Sequence, residues 1–349
     1  MSLLALWLAF AVAGVAVWLA GTRLSVATDV ISCRLSLGQD LGGLIFLAIV
    51  TNLPETAIIL AASVNGDTGL AAGNILGGIA IQTVVLVLLD VIEVPDVPLT
   101  HRAASLGLVL EGMMVVAMLS VAIIGSRLSA SLVFLRLTPV GMAILGLWVA
   151  GLLLVRRART SLPWQDSGTP ADAQPRRQGR SARHRKRELD RLEYSSLRLW
   201  VTFVGAALVT LFAGVVLELT SAGIAAMLGL QGAVFGATIL AAVTALPEIS
   251  TGVASVQLGD YRLAVSDIFG GNAFLPVLFP LATLATGVVI LPHASDVDIY
   301  LAALGILLTA VYVVGLIFRP KRQFMRLGPD SIVVLALYVL GIIGLLAVR

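Results

Sequence analysis

The chain alternates between long apolar runs and short polar breaks, and the runs have the length of membrane crossings. A spanning helix needs about 20 mostly apolar residues. Ten runs qualify: 3–21, 40–63, 69–92, 103–124, 137–155, 199–219, 233–256, 262–290, 296–318 and 331–348. The pattern therefore predicts an all-α membrane protein with ten transmembrane helices. The first run has the length of a signal peptide's apolar stretch. No basic residue precedes it, and the first positive charge, Arg23, follows it, so it reads as a retained helix.

Charge fixes an orientation for these spans. Residues 156–198 hold 12 Lys/Arg and 5 Asp/Glu, whereas the rest of the chain holds 11 and 15. With the N-terminus outside, 20 basic residues fall inside and three, Arg127, Arg136 and Arg349, fall outside. The positive-inside rule then places both termini outside and the basic segment in the cytoplasm. Composition agrees with a membrane protein: 58% of residues are hydrophobic and 12% charged, against about 25% charged in soluble domains. The basic segment reads as a cytoplasmic loop touching anionic lipid rather than nucleic acid. Cys33 is the single cysteine, so no intrachain disulfide forms.

Two segments align without a gap at an offset of 193 residues, Val50–Leu86 and Val243–Phe279. Fifteen of 37 positions are identical, including Thr51/Thr244, Pro54/Pro247, Glu55/Glu248, Gly66/Gly259, Asp67/Asp260, Gly77/Gly270 and Gly78/Gly271. The copies lie in the second and third spans and in the seventh and eighth. Five spans separate them, so the second copy runs through the membrane in the opposite sense. The expected organisation is two inverted-topology five-helix repeats, 1–155 and 199–349, joined by the loop 156–198. Such repeats are typical of secondary transporters, with the site at the midplane where the halves meet.

Each copy carries Thr-x-Leu-Pro-Glu within an apolar span. Proline lacks an N–H, so Pro54 leaves the carbonyl of Val50 without its helical donor, and Pro247 that of Val243. Free carbonyls at membrane depth are tolerated only where protein, water or an ion satisfies them. A carboxylate there costs about 3 kcal/mol or more and marks a functional site by default. Glu55 and Glu248 with Thr51, Thr244, Asn52 and the carbonyls of Val50 and Val243 make a hard oxygen set, which suits Ca²⁺. No His or Cys stands nearby to favour Zn²⁺ or Cu.

The second half of each copy reads Gly73–Gly78 and Ser266–Gly271, whose glycines permit close helix approach. Asn74 and Asp267 are equivalent positions, with Gln82 and Asn272 a turn or less beyond. Glu111, in the fourth span, has no counterpart in the other copy; its role stays open between packing and a proton path. These five are expected in a second shell or at a coupling-ion site.

At these residues the chain resembles the calcium/cation antiporter superfamily, which includes the sodium/calcium exchangers. That family carries a Thr-Ser-x-Pro-Glu core followed by Gly-Asn-x-x-Gly-Ser-Asn, twice. The resemblance implies that Glu55 and Glu248 bind the divalent cation, with main-chain oxygens near Thr51 and Thr244. The sequence departs where the family has serines, at Asn52, Ala245, Gly78 and Gly271. It departs again at Gln82 and Leu275, where the family has Asn and Asp. Those side chains build the monovalent sites of sodium-coupled members, so their loss favours H⁺ as counter-ion at least as much as Na⁺.

The expectation is a secondary antiporter of the cytoplasmic membrane, without a cofactor, exchanging Ca²⁺ for Na⁺ or H⁺. Its partners are small inorganic cations and membrane lipid. A passive channel lacks a carbonyl filter run here. An enzyme lacks its residues, because His101, His184 and His293 fall at span ends or in loops. A non-transporting scaffold leaves the paired glutamates unexplained.

Overall fold

A computed structural model describes residues 2–34, 49–93, 97–128, 136–160, 196–257 and 259–345. Among these the backbone is helical almost throughout. The helices are α1 (Leu3–Arg34), α2 (Leu53–Asn65), α3 (Thr68–Glu93), α4 (Leu99–Ala103), α5 (Leu106–Ser126), α6 (Pro139–Thr160) and α7 (Ser196–Leu228). They continue with α8 (Gly232–Thr244), α9 (Leu246–Gln257), α10 (Tyr261–Thr286), α11 (Asp296–Phe318) and α12 (Pro329–Leu345). α8 contains a π-helical stretch, Gly236–Leu240, and α10 tightens to a 3₁₀ turn at Leu275–Val277 around Pro276.

The backbone bears out part of the expected span count among the described residues. Seven described helices are long and apolar enough to cross a membrane: α1, α3, α5, α6, α7, α10 and α11. α8 and α9 form an eighth crossing if taken together, bent by 42° at the break between them. α2 and α12, with 13 and 17 residues, fall short. Apolar runs in the sequence measure composition, not helix continuity. The run 40–63 is interrupted at Asn52, and its residues 40–48 lie outside the described set. α1 and α7 extend well past their apolar runs, to 32 and 33 residues. Of the basic loop, residues 161–195 lie outside the described set.

The repeated Gly-Asp has a local cause. Gly66 ends α2 at φ 83° and Gly259 follows α9 at φ 76°, the left-handed region that a β-carbon disfavours. The next N–H then reaches back to the helix end: Asp67 donates to the Ala62 carbonyl at 2.8 Å, and Asp260 to the Ser255 carbonyl at 2.9 Å. These are matching Schellman-type closures at equivalent positions.

Helix pairings come in matched sets at the same offset. α2 packs on α7 as α9 packs on α1; α3 packs on α11 as α10 packs on α5; α5 packs on α6 as α11 packs on α12. α1 with α7, α5 with α11 and α3 with α10 pair across the two halves. The interior belongs to α3 and α10, 72% and 78% buried over their apolar windows, against 33% for α1 and 28% for both α6 and α7. The outer helices turn Leu, Val, Phe and Trp outward, Trp200, Leu208 and Phe212 on α7 among them. That face suits hydrocarbon rather than water.

A candidate cation site at two helix breaks

The helical run ends at Thr51, turns at Asn52 and restarts at Leu53. In the second copy it ends at Thr244, turns at Ala245 and restarts at Leu246. Pro54 and Pro247 occupy the first turn of the new helix, where a missing N–H is harmless. Glu55 and Glu248 follow in that same turn. Each carboxylate therefore sits at the positive end of a half-helix, which favours negative charge.

The breaks are held by close packing between the halves. A β-carbon on Gly21 of α1 would lie 2.7 Å from Pro247 Cγ. At the equivalent position, one on Gly214 of α7 would lie 2.7 Å from Ala57 Cβ and 2.9 Å from the Pro54 carbonyl oxygen. Each outer helix thus presses a glycine against the proline turn of the opposite copy. Gly73 and Gly77 of α3 likewise admit Ala233 and Ala237 of α8 at distances no β-carbon permits. Gly270 meets nothing within 4 Å, so its packing role is not seen.

The expected site residues are buried as a group. Glu55 is 1% exposed and Glu248 2%, with Thr51, Thr244, Asn52, Asn74, Gln82, Asp267, Asn272, Glu111 and Val50 also buried. Val243 is half-buried, its side chain turned to Gly14 of α1. The Glu248 carboxylate stands within Coulombic reach of those of Glu55 and Asp267. The Thr244 hydroxyl lies beside Glu55 but donates to the Ala241 carbonyl at 3.3 Å. All four carboxylate oxygens of Glu55 and Glu248 lack a hydrogen-bond partner among the described residues. Two buried, unpaired like charges are costly, several kcal/mol per ion, unless a cation or protons neutralise them.

The other predicted residues fall into two groups. Asp267 accepts a hydrogen bond from Thr251 at 2.8 Å, and Thr251 also reaches the Glu248 carbonyl at 3.1 Å. Ser266 donates to Glu111 at 2.7 Å, which ties Glu111 to the residue next to Asp267. Glu111, which has no sequence counterpart, is thus hydrogen-bonded to the second copy. On the other side, Asn272 donates to Thr83 at 3.2 Å and to the Ile79 carbonyl at 3.5 Å. Gly271 faces the amides of Asn52 and Gln82. Asn74 lies against Gly236 of α8.

The sequence profile of the sodium/calcium exchanger protein family matches residues 5–157 and 198–347. The chain belongs to that family. It is 26% identical to inner membrane protein YrbG of Escherichia coli (strain K12) over 260 residues, 73% of this chain and 72% of that protein. Among solved structures it is similar in fold to the H⁺/Ca²⁺ exchanger CAX, with TM-score 0.62 and 14% identity over 98% of this chain and 87% of that one. Native YfkE gives 0.63 and 15%, covering 96% and 91%. The sodium-calcium exchanger NCX_Mj gives 0.58 and 16%, covering 98% and 99%.

As a member of this exchanger family, the chain is a multi-pass membrane transporter of the antiport type. Its central cluster is a set of carboxylates and neutral oxygens. Among the described residues no three His, Cys, Asp or Glu side chains gather as a compact metal cluster. A cation held there would be cargo, bound by two acids and otherwise by hydroxyl, amide and carbonyl oxygens. Thr251, Ser266 and Thr83 were missed by sequence reasoning. Thr251 sits three residues after Glu248, on the same helical face, and that spacing could have found it.

Proposed function

We propose that this exchanger moves Ca²⁺ or a related divalent cation against H⁺ or Na⁺ by alternating access. Glu55 and Glu248 form the midplane site with oxygens of Thr51, Thr244, Val50, Val243 and Asn52. One observation carries the reading: two buried carboxylates, without partners, at two proline-marked helix breaks. Two Glu balance one divalent cation and equally two monovalent charges, so the same pair serves both half-reactions. Calcium binding expels the counter-ions because one pair of charges cannot satisfy both. Ala245, Gly78, Gly271 and Leu275 carry no side-chain oxygen, which argues against several separate Na⁺ sites and for protons on the carboxylates.

The same reading takes the architecture as ten crossings in two inverted repeats. The matched helix pairings and the matched Gly–Pro contacts support it, with α2 and α12 completing the count. The basic count supports external termini and a cytoplasmic loop 156–198. The test is ⁴⁵Ca²⁺ uptake into proteoliposomes under an imposed pH or Na⁺ gradient. Gradient-driven accumulation is expected. Calcium entry that only equilibrates, indifferent to both gradients, means a channel and overturns the proposal.

A further inference from the structure

Each outer helix carries a row of residues that starts at the glycine pressed against a proline turn and runs toward one membrane face. On α7 the row is Gly214, Glu218 and Ser221, and on α1 the equivalents are Gly21, Ser25 and Thr28. The α1 row is closed on its own helix: Ser25 donates to the Gly21 carbonyl at 3.1 Å and Thr28 to the Leu24 carbonyl at 2.8 Å. The α7 row is not closed. Glu218 and Ser221 are both 0% exposed, and Glu218 Oε1 and Ser221 Oγ have no hydrogen-bond partner among the described residues. Glu218 Oε2 accepts one bond, from the Asn65 amide at 2.9 Å. The Asp67 carboxyl stands beside Glu218. This cluster is remote from the paired glutamates. Asn65 follows Glu55 by ten residues of α2, a rise of about 15 Å.

The protein supplies no positive charge to this end. α7 packs on α1, α2 and α8, and Asp67 leads into α3. Residues 35–101 and 199–261, which include α2, α3 and α8, contain no Lys or Arg. α1 carries Arg23 and Arg34 in its last third, which packs on Leu199, Phe203 and Ala206 at the other end of α7. A buried carboxylate whose charged neighbour is another acid is unfavourable until a cation or a proton answers it. A proton shared by the two acids leaves the Ser221 hydroxyl without a partner. A hard divalent ion uses every oxygen present: two carboxylates, which balance its charge, the Asn65 amide oxygen and the Ser221 hydroxyl. Asn65 is exposed and Asp67 half-buried, so the cluster opens to solvent at its edge.

We infer that Glu218, Asp67, Asn65 and Ser221 form an outer loading station, at which a hard divalent cation of the calcium type binds on its way between the external solution and the paired glutamates. The station rests on the Glu55/Glu248 reading and on the proposed orientation, in which the turn after α2 faces outward. A negative site at a low-dielectric mouth raises the local cation concentration and the association rate by about 10–10³-fold. The cytoplasmic mouth has no such station. Its equivalent residues are Ser25, Asp260, Leu258 and Thr28. Ser25 and Thr28 are spent on their own helix, Asp260 accepts a hydrogen bond from the Leu263 N–H at 3.2 Å, and the leucine has no side-chain oxygen. The two mouths therefore load calcium unequally, although the central site is symmetric.

The experiment compares the two faces of the full-length protein in right-side-out and inverted membrane vesicles. The readout is ⁴⁵Ca²⁺ uptake into vesicles preloaded with unlabelled Ca²⁺, a self-exchange that needs no coupling ion. Glu218→Gln keeps the shape of the side chain and resembles a protonated acid. It should raise the outer-face KM for Ca²⁺ by about tenfold and move the cytoplasmic-face KM little. Asp67→Asn should act in the same direction, and Glu218→Asp should restore part of the loss. The wild-type outer-face KM should rise with ionic strength more steeply than that of Glu218→Gln, because salt screens attraction by charge; a purely structural residue gives no such difference. An unchanged outer-face KM in a transporting Glu218→Gln protein means that the two acids only share a proton, and it overturns the inference. An equal rise on both faces overturns it as well. If Glu218→Gln does not fold, Asp67→Asn is read by the same criteria. Glu55→Gln runs alongside. If self-exchange persists undiminished there, the central-site reading itself falls, which is a separate outcome.

Discussion

Replacing Glu55 by Gln should change stability in opposite directions with and without calcium. The substitution keeps size and shape and deletes one of two buried, mutually repelling charges. Without a divalent cation, at a pH alkaline enough to ionise both acids, it relieves that repulsion, so the variant should melt above wild type there. With calcium, the remaining Glu248 faces a divalent ion alone. Removing one partner of a buried charge pair costs about 3–5 kcal/mol. In affinity that is from about 10²-fold to a few times 10³-fold. Wild type at a hundredfold excess of Ca²⁺ over its Kd gains about 2.7 kcal/mol of stability by mass action, and the variant gains almost none at the same concentration. The assay is thermal unfolding of detergent-purified protein, read by intrinsic tryptophan fluorescence, across a calcium series with EGTA as the zero point. The melting curves should cross: Gln above Glu in EGTA, Glu above Gln in calcium. Glu248→Gln should behave alike, because the two positions are equivalent in burial and in helix-end setting. A calcium-dependent shift in either variant as large as in wild type would refute the reasoning, whatever the flux assays give.

Other outcomes follow from the packing and the charge pattern. Gly21→Val and Gly214→Val each drive methyl groups into the opposite copy's proline turn, so each should cost about 1–3 kcal/mol and slow exchange; wild-type melting and flux in both would show that the contact is not tight. Asp90 accepts hydrogen bonds from Leu99 N at 2.7 Å, Gly328 N at 2.7 Å and Ser331 Oγ at 2.8 Å, so Asp90→Asn should lose about 1.5–3 kcal/mol in thermal unfolding while Ca²⁺ affinity per folded molecule holds. A single cysteine at position 167 should resist impermeant reagent added outside intact cells and one at 293 should react; the reverse pattern inverts the proposed orientation.

The sequence by itself determined that the chain is helical and membrane-embedded, because apolar runs of spanning length leave no other way to satisfy the backbone in lipid. It also yielded the two motif copies, since a constant offset needs no coordinates to be seen. Glu55 and Glu248 stood out for a physical reason legible in one dimension: a carboxylate in an apolar run is costly wherever the chain folds. Helix continuity was not legible. Composition runs straight through Asn52 and Ala245, and only the backbone showed that the runs break there. Gly21 and Gly214 lie outside the aligned segments, so their shared offset passed unnoticed until their contacts with Pro247 and Pro54 gave it meaning. The partners of Glu111 and Asn272 lie 155 and 189 residues away in the chain. Such pairings are set by how the two halves dock, which no local pattern encodes. The inequality of the two copies needed both sources. Sequence supplied the substitutions at Ala245 and Leu275, and tertiary structure decided that Leu275 packs at Gly78 while Asn52 and Gln82 face Gly271.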